Sequence, residues 1–291
     1  MLLTQISKNS HKLESSETKR KKTVKVAILS DLHWDNPDCD RELLKKHLDY
    51  CKDKGINVLL NGDTFCLMQG KYDPRSTKGK VRPEHNTPRY LDAVVETAAE
   101  WFTPYAEIIT VVGYGNHETS ILRRQETDVI QRFVALLNHV AKPESPVYAG
   151  GYTGALRVNC KMGGTSSAYD ICYFHGSGGG GVVTRGEINL TRMATMFEGF
   201  DCLTFGHIHE LKETSLRKVY LSKKGEIKHK DVLGIITGTY KDEYKVGYMG
   251  WHVERGAPNK PIGGKILEIT FSRKPEGGVT KYARSYNFPM L

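Results

Sequence analysis

The sequence predicts an α/β protein: two β-sheets sandwiched between helices, with a site at one edge of the sheets. Three observations carry that expectation. Short apolar runs at 26–29, 58–60 and 108–112 read as buried strands. Segments with helical spacing lie between them, and further along the chain that period gives way to strand-like alternation and Gly-rich turns.

Taken in order, residues 1–23 show no periodicity and are expected to form a disordered basic tail, leaving 24–291 as a single domain. A strand at 24–30 precedes Leu43, Leu44, His47, Leu48 and Cys51, whose spacing predicts a helix ending near Gly55. A strand at 57–61 completes a βαβ unit with a right-handed crossover. The Pro- and Gly-punctuated segment at 69–88 is a loop, followed by a helix near 89–102 and a strand at 108–112. Thr119 is a candidate cap for a helix running towards Val140. Strands are expected at 155–158 and 169–174, then a glycine run at 178–181 and a helix ending at Gly199. A strand at 202–205 follows, and 211–291 reads as mostly β, with runs at 232–236 and 265–271 and a hairpin turning at Lys224-Gly225. There is no internal repeat.

Composition narrows the class. The 291 residues suit one large α/β domain. No apolar stretch approaches the roughly 20 residues that span a bilayer, and the start is polar rather than signal-like, so a soluble cytosolic protein with no membrane partner is expected. Cys39, Cys51, Cys66, Cys160, Cys172 and Cys202 form no C-x-x-C pair and read as reduced thiols. The net charge of +9 comes largely from residues 1–22 and 69–89, each with six basic residues against two acidic. A charge run is ordinarily a solvated surface. The loop at 69–89, however, leaves the strand that ends at Asp63, which would put its cations beside any site there, where they would attract phosphate esters.

Five short blocks carry the chemistry: Asp31-Leu32-His33, Gly62-Asp63, Gly115-Asn116-His117-Glu118, His175-Gly176 and Gly206-His207-Ile208-His209. Three directly follow the buried strands, and open α/β sheets gather their sites at the carboxyl ends of strands. One Gly-Asp is ordinarily a turn, and one His at a strand end is ordinarily just hydrogen-bonded. Together they offer carboxylate, amide and imidazole donors, which suit Mn, Fe, Zn or Ni and are too rich in nitrogen for Ca or Mg.

In that order the blocks resemble the calcineurin-like metallophosphoesterases, whose pattern is D-x-H, G-D, G-N-H-D/E, H and G-H-x-H. The resemblance covers residues 24–210 and implies a distorted αββα sandwich with two divalent metals, Mn foremost. It implies that one metal is held by Asp31, His33, His209 and a bridging Asp63, and the second by Asp63, Asn116, His175 and His207. Such a pair, about 3.5 to 4 Å apart, clamps the attacking and leaving oxygens of an in-line displacement. His117 matches the family's non-ligand histidine and is the candidate catalytic acid. The protein serine/threonine phosphatase branch has G-D-x-H-G and G-D-x-x-D-R-G. This chain has Trp34 after His33 and Cys66 where a carboxylate often orients the histidine, so phosphoprotein phosphatase activity is not expected and the partner of His117 is open, with Glu118 one candidate.

Four of the blocks look like those of the DNA-repair exonuclease branch. The leading expectation is therefore a phosphodiesterase acting on DNA or RNA, with Lys78, Lys80 and Arg82 tracking a backbone and Tyr72 stacking on a base. His252, in an aromatic and Gly-rich stretch, is a candidate substrate wall. A hydrolase of a small phosphate ester needs only the metals and a few cations. A third option is a metal-bound interaction protein without catalysis. His11, His47, His85, His139 and His229 read as surface or helix residues rather than ligands.

Overall fold

The computed structural model describes residues 1–68, 78–245, 251–254 and 256–289. Strand β3 (Lys21–Leu29) shows how the layers arise. Successive side chains leave opposite faces of a strand, and here both sets are apolar. Val26 and Ile28 enter a core between two sheets, while Ala27 and Leu29 enter a core beneath helices. β4 (Asn57–Leu60) and β5 (Ile109–Val112) repeat the division, with Leu59 and Val111 on the first side and Val58, Leu60 and Val112 on the second. Strands apolar on both faces are stable only when covered on both.

One sheet joins β3, β4 and β5 in parallel to β6 (Tyr148–Ala149) on one side. On the other side it joins β12 (Lys265–Arg273) and β13 (Val279–Asn287) antiparallel. Helices α1 (Arg41–Asp53), α2 (Tyr90–Phe102) and α4 (Val129–Ala141) cover its outer face through Leu44, Leu48, Val94, Ala98 and Phe133. The other sheet contains β1 (Leu2–Ser7), β2 (Ser10–Glu17), β7 (Thr153–Met162), β8 (Thr165–Phe174), β9 (Cys202–Phe205), β10 (Lys212–Leu221) and β11 (Ile227–Ile236). Its order is β1-β2-β7-β8-β9-β11-β10. Helix α5 (Glu187–Met196) packs Leu190 and Met193 on Leu203, Phe205 and Ile236. The fold is thus α/β, with two mixed sheets face to face and helices outside both, as expected.

Two expectations are corrected. The first residues are not a disordered tail: β1 and β2 form a hairpin, and β2 extends the sheet by pairing in parallel with β7 from Ser10↔Ala155 to Glu17↔Met162. In β2 the side chains of His11, Leu13 and Ser15 are buried in alternation with Lys12, Glu14 and Ser16. Two of the three inward residues are polar, which hid the strand period. Secondly, Thr119 caps nothing. Helix α3 (Asn116–Gln125) starts directly after Gly115, whose N–H donates to the Glu118 carboxylate at 2.8 Å. The path towards Val140 then breaks at Glu126, which is left-handed at φ 52°, and Asp128 caps α4 by accepting from the Gln131 N–H at 3.0 Å.

Candidate metal centre

Parallel strands β3, β4 and β5 end at one rim, and β8 and β9, parallel to each other, end beside it. Asp31 and His33 leave β3, Asp63 leaves β4, Asn116 and His117 leave β5, His175 leaves β8, and His207 and His209 leave β9. The turns are tightly tied. The Asp31 N–H donates to Gly62 O and the His33 N–H to Asp63 O, both at 3.0 Å, and the Gly206 N–H donates to His175 O at 2.9 Å. Asp31, His33, Asp63, His207 and His209 all have positive φ, between 46° and 66°. A non-glycine residue in that region is strained by about 1 kcal/mol or more and persists where the surroundings impose it, commonly at functional sites. Glycines provide the clearance. A Cβ on Gly62 would stand 2.6 Å from His175 Nδ1, and one on Gly115 2.0 Å from Asp63 Oδ1.

The side chains fall into two main groups whose donor atoms could hold a cation, Asp31 with His33 and His209, and Asp63 with His175 and His207. In the second, Asp63 Oδ2 lies 3.4 Å from His175 Nε2, which is 3.2 Å from Asn116 Oδ1, itself 2.8 Å from His207 Nδ1. Atoms bonded to one ion at about 2.1 Å sit roughly 3.0 to 3.4 Å apart, so these spacings fit a shared cation. In the first group, Asp31 Oδ1 is 3.2 Å from His209 Nε2. The His33 ring is 2 % exposed, yet neither ring nitrogen has a hydrogen-bond partner among the described residues. A buried imidazole without partners is costly unless something else uses its lone pair.

Supporting bonds aim the donors. His175 Nδ1 meets Asn61 O at 2.9 Å, which leaves Nε2 to face Asp63. Asp31 Oδ2 accepts from Ser30 Oγ and from the His207 N–H. Burial disfavours charge on His175, but the Asp63 and Asp31 carboxylates outweigh it and push the imidazole up to about 10. Burial likewise opposes ionisation of Asp63, yet His175 and His117 hold its carboxyl well below the usual range. Burial, and then His117, depress His33, whose imidazole is neutral and suited to donate a lone pair. This is a pocket that favours positive charge beside neutral nitrogen donors.

His117 Nδ1 contacts the backbone O of Cys66 at 2.5 Å, which identifies the orienting partner that was open in the sequence. Glu118 is engaged with backbone N–H groups. Buried, it accepts from the N–H groups of Gly115, Phe65 and Asp63 and so fixes the Asp63 turn. Burial, then the Asp63 charge, push it up to about 8. Behind Cys66 stands Asp35, which sequence reading missed. Its carboxylate, 2 % exposed, accepts from the N–H groups of Cys66 at 2.5 Å and Leu67 at 2.9 Å and from Tyr90 OH at 3.0 Å. Its place two residues after His33 was the only signal.

The expected substrate residues fare unevenly. Lys80 Nζ pairs with Asp38 at 2.6 Å, and the Arg82 guanidinium donates to the carbonyls of Asn36 and Cys39, both at 3.0 Å. These cations fasten the stretch that follows His33, because carbonyls and a carboxylate lie within their reach. Tyr72 lies outside the described residues, as does the side chain of Lys78. His252, on the short helix α6 (Trp251–Glu254), stands edge-on to His209 with ring centres 5.9 Å apart. His11, His47 and His85 are in neither main group and all three are buried; His47, on α1, bonds Tyr240 OH at 2.7 Å and stacks on Phe288. All six cysteines are buried and unpaired. Among the described residues no helix is long and apolar enough to cross a membrane.

No family model and no curated protein matches the chain. Among solved structures it is similar to Vps29 of Chaetomium thermophilum, at 7 % identity over 91 % of this chain and 100 % of that one, with a TM-score of 0.37. It is also similar to GAP50, the anchor in the inner membrane complex of Plasmodium, at 10 % identity over 92 % and 90 %, TM-score 0.40. A hypothetical protein from Thermus thermophilus aligns at 13 % identity over 91 % and 100 %, TM-score 0.33. Likeness this distant carries no argument about chemistry, which rests on the side chains themselves.

Proposed function

We propose that the chain is a dimetal phosphoesterase of the calcineurin-like kind, acting on a phosphodiester. The observation that carries this reading is the convergence of Asp31, His33 and His209, and of Asp63, His175 and His207, on one rim. Asp31, His33 and His209 would hold one divalent cation, Asn116, His175 and His207 the other, and Asp63 would serve both. The orphaned His33 ring and the close donor spacing around Asp63 fit such ions; Mn, Fe, Zn and Ni all suit this donor set, and Mn is the ion we propose. Bound there, the cations would polarise the phosphoryl oxygens and bring the pKa of a water down towards neutrality.

The chain's own residues supply the rest. With Nδ1 fixed on Cys66 O, His117 carries its transferable proton on Nε2, 3.8 Å from Asp63 Oδ2 at the edge of the metal groups. From there it donates to the departing oxygen. Asp35 and Glu118 hold the two turns that set this geometry. Because Lys80 and Arg82 are engaged with the neighbouring loop, a small diester is favoured over a polynucleotide as substrate. Mn-loaded protein assayed on bis-p-nitrophenyl phosphate, p-nitrophenyl phosphate, and single- and double-stranded DNA tests the reading. The expected result is metal-dependent hydrolysis that is fastest on the small diester. DNA cleavage at comparable rate would restore the nuclease reading, and metal binding without turnover on any substrate would leave an interaction protein.

A further inference from the structure

A third group of donors adjoins the first. His33, Cys66 and His117 each offer one ligand atom, and these atoms lie within 4.8 Å of one another. Cys66 is 1 % exposed, and its Sγ accepts a hydrogen bond from Asn36 Nδ2 at 3.2 Å. His33, buried and without a hydrogen-bond partner on either nitrogen, stands between the two groups, its ring centre 5.5 Å from His209 on one side and 4.8 Å from His117 on the other. The groups differ in the atom that decides metal preference. Oxygen and nitrogen donors accept Mn, Fe, Zn or Ni alike, whereas a sulfur donor adds a preference for softer ions such as Zn or Cd.

The geometry points to a soft-metal site made by Cys66, His33 and His117, in which Zn²⁺ or Cd²⁺ competes for His33 with the metal of the Asp31 group and withdraws His117 from the reaction. Around a tetrahedral ion with bonds of about 2.0 to 2.3 Å the donors must close to roughly 3.3 to 3.7 Å, an adjustment of at most about 1.5 Å from spacings that lie within 4.8 Å. Binding is a simple exchange. The sulfur–hydrogen bond breaks and a sulfur–metal bond forms, His117 gives up its transferable proton as its nitrogen takes the metal, and both protons pass to solvent with no change of oxidation state. Asn36 Nδ2 donates to the sulfur and would steady the thiolate, as outer hydrogen bonds do at metal sites. Metal capture by this cluster stands by itself, while its inhibitory effect rests on the role proposed for His117.

Cd²⁺ titrated into the full chain, with and without Mn, tests the proposal through the thiolate-to-metal charge-transfer absorbance and the protons released. Wild type should give one saturating band per chain, and Cys66→Ser and Cys66→Ala should give none. In parallel, Zn²⁺ is raised over fixed Mn with bis-p-nitrophenyl phosphate as substrate, each protein being compared with its own zinc-free rate. Inhibition should weaken by roughly tenfold or more in the Cys66 variants, since losing even an outer partner weakens metal sites about 10- to 100-fold. No band in wild type, or an equal band from the five other cysteines in both variants, overturns the site. Equal zinc sensitivity in all three proteins overturns the inhibition. A Cys66-dependent band in a protein that hydrolyses nothing would uphold the site while defeating the phosphoesterase reading.

Discussion

Asp35→Asn isolates the support behind His117. The carboxylate gives one oxygen to the Cys66 N–H and the other to the Leu67 N–H and Tyr90 OH, all in the interior. Asparagine keeps one acceptor and sets an NH₂ against one of those backbone N–H groups. Losing a charge-assisted bond and leaving a buried donor unmet should lower stability by about 2 to 3 kcal/mol. With an unfolding slope of about 3 kcal/mol/M, the urea midpoint should fall by roughly 0.7 to 1 M. The turn released is the one whose Cys66 carbonyl holds His117 Nδ1. Losing that bond, worth about 0.5 to 1.5 kcal/mol, should slow turnover about 2- to 13-fold, with metal content unchanged because no donor of the two main groups is touched. Urea unfolding, metal analysis and the small-diester assay on one preparation give all three readouts. A stable variant with full turnover would refute the support role, and loss of metal would place Asp35 in the metal centre itself.

Other changes have separate signatures. His117→Ala should keep both metals and lose about 10²- to 10⁴-fold in turnover, with a smaller defect on a substrate whose leaving group needs no proton; loss of metal would contradict its role. Gly115→Ala drives a methyl against the Asp63 carboxylate and should lower metal content, read by elemental analysis, while a variant that binds metal normally would show that the turn gives way. His11 is buried with no hydrogen-bond partner among the described residues, and burial lowers its pKa from 6.5 to about 4. Its folded pKa lies below its unfolded one, so its contribution is complete above pH 6.5 and is lost as pH falls towards 4. At pH 5 the loss should be about 2 kcal/mol, and His11→Phe should flatten that limb of stability against pH; an unchanged limb would place the proton elsewhere.

The parts of the fold that could be read from sequence are those in which apolar pattern and architecture agree. β3, β4, β5 and β9 are continuous apolar runs because both faces are buried, and each ends in a block that the rim gathers. The hairpin of β1 and β2 escaped because His11 and Ser15 take inward places that Leu13 alone marks as apolar. His47 falls in the helical spacing of Leu44, Leu48 and Cys51 and is buried as that pattern implies, but its partners Tyr240 and Phe288 lie far along the chain and no local pattern announces them. Charge counts found the cations of the loop but not the partners of Lys80 and Arg82, since a sum over a loop says nothing about which carbonyls and carboxylates it meets on folding. Donor residues announce themselves by type, whereas Asp35 and the Cys66 carbonyl, which aim His117, do so only through contact.

The central claim is that two cations share Asp63. Metal content of purified protein loaded separately with Mn, Fe, Zn or Ni, measured beside Asp63→Asn, His33→Ala and His175→Ala, tests it most directly. The account predicts two Mn per wild-type chain and about one in each histidine variant. It predicts the greatest loss in Asp63→Asn, because that carboxylate serves both ions. A wild type that binds none of the four metals, or an Asp63→Asn protein that still holds two, would contradict it.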